Sequence, residues 1–142
     1  MPRTSKAAGS VALVTGANRG IGLGFVAELA ARGARKIYAG VRSPGDVTGQ
    51  FKELPVEVVP LDVTDLALVQ AAAAGCPDVN LLVNNAGLFT NHRLVLTDDP
   101  DAARREMEVN YFGVLNMTRS KGTAYADYVS RTSGFVPWPP RK

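Results

Sequence analysis

A chain of 142 residues, 46% hydrophobic and 20% charged, has the makeup of one globular domain long enough to bury a real core. Its net charge of +3 comes from scattered basic residues rather than a Lys/Arg-rich block, which argues against a nucleic-acid surface. No apolar run reaches the roughly 18–20 residues that span a membrane, and the lone cysteine, Cys76, excludes an internal disulfide.

Residues 1–9 read as a flexible N-terminal stretch with no signal-peptide pattern, which together with Cys76 points to the cytoplasm. "SVALVT", 10–15, is a short β-branched apolar run ending in glycines, a buried strand. "GIGLGFVAELAARGA" follows with Ile21, Phe25, Val26, Leu29 and Ala30 at helical spacing and Gly33 as a C-cap. "RKIYAGV", 35–41, is a second strand; "RSPGDVTGQ" is turn-rich, and "FKEL" fits one helical turn. "VEVVPLDV", 56–63, is a third strand. "TDLALVQAAAAG" is an Ala-rich helix capped by Thr64 or Asp65 and closed by Gly75. "VNLLVNN", 79–85, is a fourth strand, and a polar loop runs to about Asp99. A long helix then begins near Pro100 and extends to Ser120.

The alternation β-α-β-(α)-β-α-β-α implies an α/β fold, a parallel sheet with helices on both faces and right-handed crossovers; in the Rossmann-type doubly wound order its four strands would lie 3-2-1-4, an incomplete sheet. Composition changes after about Ser120, where "SGFVPWPPRK" has no strand or helix period, so 120–142 read as an irregular tail. The folded unit is then 10–119.

"VTGANRGIG" sets Gly16, Gly20 and Gly22 between a strand and a helix. Gly16 permits the tight turn, Gly20 lets a pyrophosphate approach the positive end of the helix dipole, and Gly22 allows close helix–strand packing. The bland alternative is a plain Gly-rich turn; a P-loop is excluded because no Gly-Lys-Ser/Thr follows. About 20 residues on, at the end of the second strand, a ribose-binding acid is expected. Val41 stands there and Arg42 follows. An arginine pairs with a ribose 2′-phosphate through its planar fork, so NADP is favoured over NAD. Arg19 adds a second basic group in the turn; both arginines could also be plain solvated side chains.

With its TGxxxGxG spacing and three further motifs in order, the chain resembles the short-chain dehydrogenase/reductase family over about residues 10–119. "TGANRGIG" matches the family's cofactor motif, which implies contacts from Gly16, Asn18, Arg19, Gly20, Ile21 and Gly22. "LDVTD", 61–65, implies Asp62 hydrogen-bonding the adenine and Val63 lying against it. "NNAG", 84–87, implies Asn84, Ala86 and Gly87 beside the cofactor. "VNYFG", 109–113, places Asn110 where the family has a catalytic asparagine. The resemblance implies hydride transfer between the nicotinamide and a carbonyl or secondary alcohol. It also implies pairing of the last helix with a second copy.

In that family a tyrosine supplies the proton and a lysine four residues later lowers its pKa, one helical turn away. Here Tyr38 is followed at that spacing by Arg42, Tyr111 by Leu115, Tyr125 by Val129 and Tyr128 by Thr132. The Ser120-Lys121 pair has Met117 four before its lysine. The strand bearing the family's serine and the helix bearing Tyr-x-x-x-Lys have no counterpart, so the resemblance covers the cofactor-binding part only. The missing serine and Tyr-x-x-x-Lys leave two readings: an NADP(H)-binding oxidoreductase of that family, and a catalytically inactive, truncated dinucleotide-binding or association module. His92 lacks metal-ligand neighbours and reads as a surface residue; no metal site is expected.

Overall fold

The computed structural model describes residues 7–47, 49–91, 99–120 and 122. Strands β1 (Val11–Thr15), β2 (Lys36–Val41), β3 (Val56–Pro60) and β4 (Leu81–Val83) form one parallel sheet in the order β3-β2-β1-β4. Val11 stands opposite Lys36 and Ala12 opposite Leu81, which fixes β1 at the centre. The expected doubly wound architecture is the observed one.

Both faces of the sheet are covered, so β1 is buried throughout and reads as an unbroken apolar run. The period of two appears in which layer each residue joins. Ala12, Val14, Ile37, Ala39 and Val41 pack with Val26 and Leu29 of α1 (Gly20–Ala31). Val11, Leu13 and Tyr38 pack with Val69 and Ala72 of α2 (Leu66–Gly75) and with Met117 of the last helix.

The helices differ from the expected pattern in instructive ways. In α1 the buried positions are Gly22, Val26 and Leu29, while Ile21 is 76% and Phe25 42% exposed. Gly22 is drawn onto the preceding turn, which sets the phase of the helix and turns Ile21 and Phe25 away from the sheet. The end of α1 is as expected: Gly33 N–H bonds Ala30 C=O and Ala34 N–H bonds Leu29 C=O, with Gly33 at φ +79. Asp65 is the α2 cap, accepting from the N–H groups of Ala67 and Leu68. Gly75 lies inside α2, and Cys76 ends it.

The last helix is three pieces run together: α3 (Ala102–Met107), a π-helical stretch Glu108–Phe112, and α4 (Gly113–Arg119). Gly113 N–H bonds Glu108 C=O, the i→i+5 bond of the wider turn. A hydrophobic period cannot announce that extra residue. "FKEL" forms turns rather than a helix, and a short 3₁₀ turn occupies Pro44–Val47 instead.

Strand β4 is shorter than the expected 79–85. Asn80 pairs with Val11 through its side chain as well as its backbone, and Asn85 is pulled toward the β1 turn. Residues 7–9, expected to belong to a flexible N-terminal stretch, tie the foot of β1: Ala7 is buried, and Gly9 N–H bonds Gly33 C=O at 2.8 Å.

At that same foot, Tyr38 donates to Asp78 and accepts from Lys36, which also pairs with Glu57 at 2.7 Å. The Lys36 hydrogen bond pulls the Tyr38 phenol down, but burial and Asp78 outweigh it and push its pKa up. Tyr38 is thereby a structural phenol at the opposite end of the sheet from the glycine turn. His92, Lys121, Tyr125, Tyr128 and the tail beyond Gly122 lie outside the described residues. Among the described residues no helix is long and apolar enough to cross a membrane.

Candidate functional site

A crevice of about 750 Å³ opens at the C-terminal ends of the strands. Its walls come from the residues that follow each of the four strands. After β1 come Gly16, Asn18, Arg19, Gly20, Ile21 and Gly22; after β2, Arg42 and Ser43. After β3 come Leu61, Asp62, Val63 and Thr64; after β4, Asn85, Ala86, Gly87 and Leu88. The remaining wall is the last helix, with Arg105, Glu108 and Val109. A crevice at this place in an open parallel sheet is where such folds bind ligands. Its volume suits an organic molecule of cofactor size.

Two of the close approaches of the chain to itself here seat helices. A Cβ on Gly22 would stand 2.1 Å from Gly16 O and 2.5 Å from Asn85 Nδ2. A Cβ on Gly113 would stand 2.5 Å from Val63 Cγ2. The first contact seats the N-terminus of α1 on the glycine turn. The second seats the last helix on the segment after β3, where Asn116 also donates to Val63 C=O at 3.0 Å.

The turn is held by a buried threonine. Thr15, 1% exposed, accepts from Asn85 N–H at 3.0 Å and Ala86 N–H at 2.9 Å, and donates to Val83 C=O at 3.4 Å. Asn85 returns the contact, donating through Nδ2 to Thr15 C=O and Gly16 C=O. These bonds join the turn after β1 to the turn after β4, the two strands between which the crevice opens. They satisfy backbone groups that the short β4 leaves behind.

The rim is basic on one side. Arg19 and Arg42 line it, and both are exposed. Val41, where an acid was expected, is 1% exposed and belongs to the core layer under α1. Charge at that position would be buried among apolar side chains, so Arg42 is the group free to meet a ligand from the end of β2. Asp62 Oδ1 accepts from the N–H and hydroxyl of Thr64, which turns the chain from β3 toward α2. On the far wall Arg105 is held by Asp99, whose hydrogen bond pushes the guanidinium pKa further up.

Of the residues named from the sequence, Asn84 is exposed and stands outside the crevice lining, whereas its neighbour Asn85 lines it. Asn110 is also outside the lining. Its side chain is engaged with Leu88, accepting from the N–H and donating to the C=O, both at 2.8 Å. Sequence reasoning missed Thr15, Ser43 and Asn85, and on the last helix it named Asn110 rather than the lining residues Arg105, Glu108 and Val109. The spacing within "VTG" and "NNAG" signals the turns but not the hydrogen bonds between segments 70 residues apart.

A family model described as short chain dehydrogenase matches residues 10–134. Among solved structures, a short chain dehydrogenase from Burkholderia cenocepacia in complex with NADP is 45% identical with a TM-score of 0.78, over 85% of this chain and 50% of that one. The NADPH-bound carbonyl reductase from chicken fatty liver is 32% identical, TM-score 0.70, over 84% and 50%. A galactitol 2-dehydrogenase (L-tagatose-forming) from Cereibacter sphaeroides is 37% identical over 90% of this chain and 51% of that protein. The chain spans about half the length of these relatives.

Proposed function

We propose that this chain, which belongs to the short-chain dehydrogenase family, is a nicotinamide-dinucleotide-binding unit of that oxidoreductase family, with NADP(H) as its dinucleotide. The observation that carries the reading is the crevice built from the ends of all four strands, with the N-terminus of α1 on one side and Arg19 and Arg42 on its rim. Backbone N–H groups at the start of α1 and the helix dipole favour a pyrophosphate there. Arg42 and Arg19 supply the positive charge that a ribose 2′-phosphate requires and a ribose diol does not. Asp62 and Val63, which line the same crevice after β3, would meet the adenine. Two relatives of this chain hold the phosphorylated dinucleotide.

Bound nicotinamide would supply hydride chemistry toward a carbonyl or secondary alcohol. The chain's own residues bind and orient the dinucleotide. Asn110 holds the wall of the crevice through Leu88 rather than reaching into it. The family's proton donor for the developing alkoxide, a tyrosine with a lysine four residues on, has no match in this sequence: no tyrosine here is followed by a lysine at the fourth position. Binding without turnover is therefore expected. With NADPH and a panel of ketones, aldehydes and quinones, the absorbance of the reduced nicotinamide should stay at the protein-free rate. NADPH should meanwhile raise the melting temperature of the protein. Turnover above background would contradict the non-catalytic part of the reading. Absence of thermal stabilisation would contradict the binding part.

A second reading, an association module in the cytoplasm, draws on a different observation. Among the described residues β4 pairs only with β1, and Met107, Tyr111 and Phe112 of the last helix are exposed. An apolar strand edge and such side chains favour pairing with a second copy.

A further inference from the structure

Asn110 has a counterpart one helical turn earlier. Glu106 Oε1 accepts from the N–H of Thr90 at 2.7 Å and from its hydroxyl at 2.5 Å. Asn110 and Glu106 are four residues apart on the last helix; Leu88 and Thr90 are two apart on the segment after β4. Two helical side chains thus do for this segment what a neighbouring strand would, taking alternate residues and leaving Phe89 between them 80% exposed. The segment leads directly out of the crevice wall, since Gly87 and Leu88 line the crevice and Thr90 follows. Held at Leu88 alone, it would be pinned at one point; Glu106 supplies the second.

We propose that Glu106 is a positioning residue for the dinucleotide, fixing the Gly87–Leu88 wall by binding Thr90 while Asn110 binds Leu88. The proposal rests on the reading of the crevice as a dinucleotide site. A carboxylate suits the task because one charged oxygen takes both donors of Thr90, and charge-assisted hydrogen bonds are the stronger kind. Glutamine keeps an oxygen at that place; alanine removes it.

The test compares Glu106→Ala, Glu106→Gln and Thr90→Val with the unsubstituted chain in two measurements. Amide exchange followed by NMR without ligand should show the Thr90 and Leu88 N–H groups exchanging about tenfold faster in Glu106→Ala. Glu106→Gln should stay close to the unsubstituted rate, and the β1 and β2 amides should be unchanged in both. The NADPH dissociation constant should rise about tenfold in Glu106→Ala, less in Thr90→Val, and be largely restored in Glu106→Gln. Unchanged exchange at Thr90, or faster exchange with unchanged NADPH affinity, would overturn the proposal. If the unsubstituted chain binds no NADPH, the dinucleotide reading fails, and the positioning role with it. The exchange data alone then decide whether Glu106 holds the segment.

Discussion

Gly22→Ala abolishes measurable NADPH binding and lowers the melting temperature by roughly 5–10 °C, the effect of overpacking a site that cannot yield. The added methyl would stand 2.1 Å from Gly16 O and 2.9 Å from Gly16 C, both backbone atoms, and 2.5 Å from Asn85 Nδ2. No side-chain rotation relieves the first two contacts. Either the N-terminus of α1 lifts or the glycine turn gives way, and both disturb the place where a pyrophosphate would lie. Asn85 cannot yield without releasing Thr15 C=O and Gly16 C=O. Gly24→Ala is the matched control. It adds the same methyl two residues further along α1, where nothing lies within 4 Å, and should leave binding intact and stability level or slightly raised. Equal behaviour of the two variants in a thermal melt with and without NADPH would show that the close contact at Gly22 is unimportant.

Arg42→Glu weakens NADPH binding about a hundredfold and changes NADH binding only a few-fold, because a charge-assisted pair is replaced by repulsion. The substitution is placed at Arg42 and not at Val41 because Arg42 is exposed on the crevice rim while Val41 is buried in the layer under α1. An acid at Val41 would be buried without a partner, and its cost to folding would be mistaken for a change in ligand preference. Titrations of the variant with each dinucleotide check the prediction. A ratio of affinities equal to that of the unsubstituted chain would assign 2′-phosphate recognition elsewhere, with Arg19 the first alternative.

β1 and β2 were legible because they are buried on both faces. "SVALVT" and "RKIYAGV" are apolar runs with glycines or turn residues at their ends, and the observed strands lie within one residue of the expected bounds at both ends. β4 was less legible. Asn80 and Asn85 extend the apparent run, yet their side chains are spent on Val11 and on the glycine turn. The face of α1 was misjudged for a related reason. Ile21 and Phe25 satisfy a helical period, but the approach of Gly22 to Gly16 decides the phase of the helix. The π-helical stretch around Asn110 has no local signature, since one extra residue in a turn alters the period too little to see.

At the site, motifs located the glycine turn, the Asp62-Val63 pair and the end of β4, all of which follow strands and line one crevice. What motifs could not supply was the framework between them. Thr15 was visible in "VTGANRGIG" only as a flanking residue, yet it takes two backbone N–H groups from the far turn. Asn110 stood out by its motif, and Glu106 did not, although the two bind the same segment. Contacts of this kind depend on chain segments that are distant in sequence, and only the fold brings them together.

Titration calorimetry of the unsubstituted chain with NADPH and then NADH tests the cofactor assignment most directly. NADPH should bind at one site with an affinity at least about tenfold above that of NADH, the value of roughly one charge-assisted contact to the 2′-phosphate. Equal affinities, tighter binding of NADH, or no heat from either dinucleotide would contradict it.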